Sequence, residues 1–423
     1  MVIGTGSPDT LLAESQVEEI CRRAFDNQRL DGKRLLFIVP DHTRSAPMDM
    51  IFRVIYRLLA DRAAALDFLI ALGTHPPMSE EMIARRFGIT PQQRQSEFSK
   101  ARFFNHRWDD PQRLVTIGIL DEEEVEMLSG GRLRQKVTVT INRRILDYDR
   151  LIIVGPTFPH EVVGFSGGNK YLFPGIAGAE IIDMFHWLGA LITNMEIIGV
   201  KYTPVRDVID RAASMVPIER YCMSLVVKDD GLAGLFLGPP EEAWAAAADL
   251  SAKVHIVYKD KPFHRILACA PAMYEDLWTG GKCMYKLEPV AADGAELIIY
   301  APHISEVSVT HGFWLERIGY HVRDYFLKQM NQFADVPGGV MAHSTHVKGA
   351  GTFENGIEKP RIRVVLATSI PPDVCDRINL EYRDPRTIRV DEWMNREEEG
   401  VLYVPHAGEK LYRLKSAKGE SLS

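Results

Sequence analysis

The sequence predicts an α/β protein of two domains, each with a mainly parallel sheet flanked by helices, with the active site in the crevice between them. Three observations predict it. Short apolar, β-branched runs alternate with longer helical patterns through the first half of the chain. A second series of such runs begins after Pro262. The 423 residues also exceed the roughly 100–200 that one ordinary domain uses. The boundary falls near Lys261-Pro262, giving domains of residues 1–261 and 262–423.

In the first series, Leu35-Leu36-Phe37-Ile38-Val39-Pro40 reads as a buried strand, and the helical pattern after it runs from Met48 to Ala65. Asp67-Phe68-Leu69-Ile70-Ala71-Leu72 is the next strand. Ser79-Glu80-Glu81 then supplies an N-cap and first-turn acids for a helix ending near Phe87-Gly88. Leu151-Ile152-Ile153-Val154 is a third strand, with a helical stretch from Ala177 to Leu191 beyond its loop. Strand, crossover and strand in this order give a parallel sheet covered by helices. An alanine-rich helix from Glu241 to Val254 leads to the boundary. The second series is Ile266-Leu267-Ala268-Cys269, Glu296-Leu297-Ile298-Ile299-Tyr300 and Arg363-Val364-Val365-Leu366-Ala367. No internal repeat or long low-complexity segment interrupts either half.

Composition excludes several classes of function. A net charge of -7 gives no general attraction to nucleic acid or to anionic membranes, so an anionic ligand needs a local site. Residues 1–9 carry neither a basic nor an apolar signal region, and no apolar run reaches the roughly 18 residues of a membrane span. A soluble, cytoplasmic protein is the expectation. The five cysteines are scattered and never spaced as C-x-x-C, which argues against a disulfide framework or a structural zinc site.

Polar residues gather where ligands bind in open α/β sheets, beyond the carboxyl ends of strands. Asp41-His42-Thr43-Arg44 follows the first strand, Gly73-Thr74-His75 the second, and Pro159-His160 the third. Each alone has a plainer explanation as a turn cap, a surface cation or a structural imidazole. Their shared position points to a site. The glycine-rich loop Gly164-Phe165-Ser166-Gly167-Gly168-Asn169-Lys170 adds backbone that can approach a ligand and turn N–H groups toward an anion. Neither G-x-x-x-x-G-K-[ST] nor G-x-G-x-x-G is present in it, so kinase-like and plain dinucleotide chemistry lose support. Lys170 is open to two readings, a phosphate-binding cation or a desolvated nucleophile. His186, among Met184, Phe185 and Trp187, is either a core imidazole or a ligand for nickel, zinc, copper or iron.

Taken together, these motifs and His186 resemble, in order and spacing as well as residue type, the signature of the nickel-dependent lactate racemase family. The resemblance spans most of residues 35–200 and continues weakly into the second domain. It implies a nickel-pincer nucleotide, pyridinium-3-thioamide-5-thiocarboxylic acid mononucleotide, attached to Lys170, with Ni(II) held by the cofactor and His186. It further implies His75 and His160 as acid/base residues, Arg44 and Lys282 as contacts of the substrate carboxylate, and a cofactor loop that includes Asp41, Thr43, Gly164, Phe165, Ser166, Gly167 and Gly168. The implied activity is inversion at C2 of a 2-hydroxy acid by reversible hydride transfer, in an enzyme that depends on cofactor-synthesis proteins. That chemistry suits the residues. A 2-hydroxy acid needs a cationic clamp, which an arginine and a lysine provide, and a base for its hydroxyl on either face, and histidine ordinarily titrates near neutral pH.

Trp278 and Thr279, just before Lys282, depart from the Tyr and Gln that align there in lactate racemases, so both are substrate-binding candidates. Lactate is one candidate beside longer, aryl, dicarboxylic or sugar-derived 2-hydroxy acids, with one larger than or differently shaped from lactate expected. Two other readings compete. One is a zinc-dependent hydrolase with His75, His160 and His186 as ligands and Asp41 as base; the other is a nucleotide-cofactor-binding protein without turnover.

Overall fold

Six of the seven residues of Arg34–Pro40 are buried, the pattern of a strand covered by helices on both faces. In the computed structural model, which describes residues 1–415, this strand is β2 of a seven-stranded sheet. The others are β1 (Ile3–Gly6), β3 (Ala65–Ala71), β4 (Ala101–Asn105), β5 (Arg150–Pro156), β6 (Arg220–Lys228) and β7 (Gly231–Gly238). The spatial order is β1-β7-β6-β5-β2-β3-β4. Strands β6, β5, β2, β3 and β4 pair in parallel, and β1 and β7 add an antiparallel edge. Ile38 of β2 stands between Ile153 of β5 and Leu69 of β3. The three strands expected from sequence are thus neighbours, and the loops that leave them start side by side.

One face of this sheet is covered by α1 (Glu14–Asp26), α2 (Met48–Leu59) and α3 (Glu80–Phe87). Aromatic rings fill the space between. Phe37 and Phe103 each stack on Phe68, at 5.3 and 5.1 Å, and Phe52 of α2 meets Phe68 and Phe98 edge-on. Each such pair contributes about 0.5–1.5 kcal/mol beyond its burial. The N-cap expected at Ser79 is present: its hydroxyl accepts the Met82 N–H, and Gly88 closes the helix at φ 60°. The helix expected to reach Ala65 stops at Leu59 instead. There the chain turns, and bonds from Gly32 N–H to Arg62 O and from Ala64 N–H to Lys33 O align the start of β3 with β2.

A second, five-stranded sheet contains β8 (Phe263–Cys269), β9 (Ala291–Ala301), β10 (Arg363–Thr368), β11 (Glu381–Tyr382) and β12 (Val401–Val404). Its order is β11-β10-β9-β8-β12 with every pair parallel. The three runs expected from sequence are its central strands. Leu267, Ile298, Val365 and Trp393 form a buried cluster on it.

The chain divides into two compact units, each holding one of the two large sheets. The first is Met1–Phe158, Phe165–Ile182 and Arg206–Val254; the second is Pro159–Gly164, Asp183–Val205 and the chain from His255. The last crossing, at Val254 and His255, lies close to the boundary expected at Lys261-Pro262, but residues 159–164 and 183–205 group with the second unit. Hydrogen bonds explain this, tying 159–164 to Gly199 and Thr203 and 183–205 to the chain beyond His255. Asp183 accepts the Gly339 N–H, the Asn194 amide donates to Tyr285 O, and Arg323 and Arg413 donate to Leu191 O and Ile198 O. The helix α4 (Ala179–Ile192) therefore begins in one unit and continues in the other.

All five cysteines are free thiols, four of them buried, and no helix among the described residues is long and apolar enough to cross a membrane.

Candidate active site

The loop after β2 places Asp41 in the protein interior, 3% exposed. Its Oδ1 accepts the Thr43 N–H at 3.1 Å and the Thr43 hydroxyl at 2.7 Å. Its Oδ2 lies 2.5 Å from Nδ1 of His75, which the loop after β3 supplies. Gly73 makes that loop possible: it turns at φ 56° and bonds through its N–H to Gly175 O. Burial alone would raise the Asp41 carboxyl, but the charge and hydrogen bond of His75, with Arg44 and the Thr43 hydroxyl, hold it well below the usual carboxylate range. An ionised carboxylate only accepts, so His75 Nδ1 carries a proton, which leaves Nε2 as the ring nitrogen able to gain or lose one. Arg44, half-buried, extends from the same loop, whose backbone is pinned by Arg86: its guanidinium donates to Arg44 O at 2.8 Å and Ala46 O at 3.3 Å.

The glycine loop follows β5. Ser166 ties it to that strand, its hydroxyl accepting the Phe158 N–H and donating to Pro156 O. Buried Arg206 donates to Phe165 O and Gly167 O and lies 4.0 Å over the Trp244 ring, whose indole N–H donates to Ser166 O. Gly167 and Gly168 have φ of 89° and 59°. A Cβ on Gly167 would meet Thr157 Oγ1 at 2.5 Å, and one on Gly168 would meet Trp244 at 2.9 Å. Protein atoms, not open space, thus account for glycine at both positions. Lys170 closes the loop on a short turn (Gly168–Tyr171), half-buried, its own N–H bonded to Gly167 O.

In the second unit, His160 Nδ1 accepts the Val162 N–H at 3.1 Å, with Glu161 Oε2 3.2 Å from the same nitrogen. A neutral ring held in this way carries its proton on Nε2, the tautomer opposite to that of a neutral His75. Gly164 has φ 82°, and a Cβ there would meet Val200 O at 1.8 Å. His186 is half-buried on α4 with its ring against Phe185. Trp278 lies between His311 and His343, at 4.4 and 4.2 Å. Burial first, and then neighbouring histidines including His186, push the His343 imidazole well below its ordinary pKa. Lys282 Nζ stands 4.6 Å over the Tyr274 ring. The Thr279 hydroxyl and N–H both bond to Asp276, the N-cap of the short helix Leu277–Gly280, so Thr279 shapes the turn that carries Trp278.

Sequence reasoning missed Arg86, Arg206 and Trp244, because a residue that supports a loop from another element leaves no local pattern. The D-x-x-T spacing at Asp276 and Thr279 was a legible cap signal.

Residues 7–197 match the family described as the lactate racemase N-terminal domain. Two lactate racemases are similar in sequence. That of Thermoanaerobacterium thermosaccharolyticum is 25% identical over 302 residues, and that of Lactiplantibacillus plantarum 28% over 183. Over residues 7–197 the chain is similar to the lactate racemase family. The matches cover 67% and 43% of this chain and span 65% and 37% of those two relatives. Among solved structures, a Thermotoga maritima protein is 32% identical with a TM-score of 0.89, covering 97% of this chain and all of its own. The lactate racemase apoprotein of Thermoanaerobacterium thermosaccharolyticum, 18% identical, shares the fold at a TM-score of 0.70 over 96% of this chain and 94% of its own. The family match contains every expected site residue except Trp278, Thr279 and Lys282.

Among the described residues, no three His, Cys, Asp or Glu side chains are grouped to hold a metal ion. The half-buried amine of Lys170, ending the glycine loop, and the half-buried imidazole of His186 are donors of the kind that a covalently attached nickel nucleotide would use.

Proposed function

We propose that this chain is a racemase or epimerase that inverts C2 of a 2-hydroxy acid, with a nickel-pincer nucleotide attached to Lys170 and nickel bound by His186. The observation that carries the reading is the buried Asp41–His75 pair, with Arg44 on the same loop, in a chain similar to the lactate racemase family over residues 7–197. When bound, the cofactor supplies the site that takes the C2 hydrogen as hydride and returns it. Arg44 and Lys282 bind the substrate carboxylate, the first as a planar fork and the second as a point charge. Asp41 holds His75 with Nε2 ready to remove the hydroxyl proton, as a general base must be. The resting tautomer of His160 carries its proton on Nε2, so the two histidines start in complementary states, and Glu161 is placed to accept from Nδ1 whenever His160 is doubly protonated. Thr43, Phe165, Ser166 and the glycines 164, 167 and 168 shape the cofactor loop. The enzyme depends on the proteins that make and insert the cofactor, and works in the cytoplasm.

The test uses enzyme produced together with cofactor synthesis and a panel of single-enantiomer 2-hydroxy acids carrying deuterium at C2. Inverted product that keeps its label is expected. Rapid exchange of that deuterium with water overturns the hydride route, and no inversion of any acid overturns the function.

Substrate choice rests on the wall formed by Trp278, His311 and His343, which favours acids with side chains larger than lactate's methyl group. Trp278→Tyr is expected to move kcat/KM for a bulky 2-hydroxy acid relative to lactate by roughly 10-fold, the size of a lost contact worth 1–2 kcal/mol. Thr279→Gln acts through the Asp276 turn and is expected to lower both rates together. An unchanged ranking in Trp278→Tyr removes Trp278 from the specificity wall.

A further inference from the structure

The second unit contains a cavity of about 140 Å³ lined by none of the residues assigned to the reaction. That is close to the roughly 150 Å³ of an engineered cavity that admits benzene. Asn194, Glu288 and His346 contribute its polar wall, and Ala190, Met195 and Ala350 part of the rest. The Asn194 amide donates to Tyr285 O at 2.9 Å and to Glu288 Oε2 at 3.1 Å. Two acceptors on one side fix the amide, since a flipped group would set oxygen against oxygen. Asn194 Oδ1 faces the other way, buried and without a hydrogen-bond partner among the described residues, and His346 Nε2 is in the same condition. Both residues are 4% exposed.

The charges around the cavity leave acceptors in excess. Burial pushes the His346 imidazole down to about 4, so it is neutral at pH 7 and able to accept through Nε2. Glu288 is 1% exposed, and burial raises its carboxyl despite the Ala350 N–H, the Asn194 amide and Arg361 at 3.9 Å. Arg361 already donates to Ala291 O, Glu288 O and Asp293. Arg323, also on the wall, gives its N–H groups to Leu191 O and Asp324. An anion would meet a buried carboxylate and an unpaired carbonyl oxygen, which disqualifies a second 2-hydroxy acid as occupant.

We propose that this cavity binds a small primary alkylammonium compound, its three N–H bonds directed to Asn194 Oδ1, His346 Nε2 and the Glu288 carboxylate, and its carbon chain against Ala190, Met195 and Ala350. A primary ammonium has three donors and no acceptor, which matches two unpaired acceptors and a carboxyl group with lone pairs to spare in a buried wall. Its charge favours the ionised form of Glu288 that burial disfavours.

The test is a calorimetric titration of the full-length protein with n-butylammonium chloride, beside tetramethylammonium chloride and sodium acetate, with crystals soaked in the amine. One-site binding of n-butylammonium is expected, with density in the cavity and affinity at least tenfold above that of the two controls. Glu288→Gln and His346→Leu, each checked for folding by circular dichroism, are expected to weaken it at least tenfold. Only water in the cavity at saturating amine overturns the proposal, as does acetate or tetramethylammonium binding equally well, or unchanged affinity in a folded variant. Location in the wild-type soak decides the matter even if a variant fails to fold.

Discussion

Lys170→Ala is expected to yield a folded protein that carries no cofactor mass and inverts no 2-hydroxy acid. The side chain is half-buried at the end of a loop whose backbone is held by Ser166, Arg206 and Trp244, so its removal costs on the order of 1 kcal/mol and the loop remains. The loss of activity is complete because the hard chemical step belongs to the attached group. Intact mass spectrometry reads the adduct directly, and a variant that keeps the added mass refutes attachment at Lys170. His186→Ala separates the two anchors: it is expected to keep the adduct while losing nickel, read by metal analysis on the same sample. Nickel retained at the wild-type ratio in His186→Ala removes that residue from the metal site.

Asp41→Asn is expected to lower turnover by roughly 10³–10⁴-fold, the scale seen when a carboxylate that orients a catalytic imidazole is neutralised. The amide can donate to His75 Nδ1, which favours the tautomer with the proton on Nε2 and removes the base. Side-chain ¹⁵N NMR of the cofactor-free protein distinguishes the tautomers without relying on activity. A wild-type His75 protonated on Nε2 rather than Nδ1 overturns this role. Acid stability supplies a second readout. The folded Asp41 carboxyl lies below its ordinary value, so its contribution is full above about pH 4, where the unfolded carboxyl is ionised, and is lost as pH falls through the folded value. In Asp41→Asn that part of the acid-induced fall in Tm is expected to be absent.

Much of this was legible in the chain itself. Parallel strands buried on both faces are largely apolar, and 35–40, 151–154, 297–300 and 364–367 are continuously so; all became strands in parallel pairs. The Ser79 cap and the Gly88 stop were local and correct. Strands β6 and β7 were overlooked because one antiparallel edge pair interrupts the alternation of strand and helix. The end of α2 was misplaced because the turn that stops it is fixed by Gly32 and Lys33, nearly thirty residues earlier.

The sequence by itself determined which residue types follow which strands, since these are set by the order of local elements: Asp41 and Arg44 after one strand, His75 after the next, a glycine loop ending in Lys170 after the third. Only the tertiary structure decided how they are used. The pairing of Asp41 with His75 joins positions 34 residues apart, and so fixes a tautomer that no local pattern encodes. The glycines 167 and 168 face Thr157 and Trp244, and Thr279 is committed to Asp276, because side-chain volume and hydrogen-bond partners are settled by what packs from other elements. His160 and His186 were legible as imidazoles near one glycine loop, yet the segments that carry them group with the second unit: the His186 segment is bonded to residues more than a hundred positions away, and the His160 segment to Gly199 and Thr203.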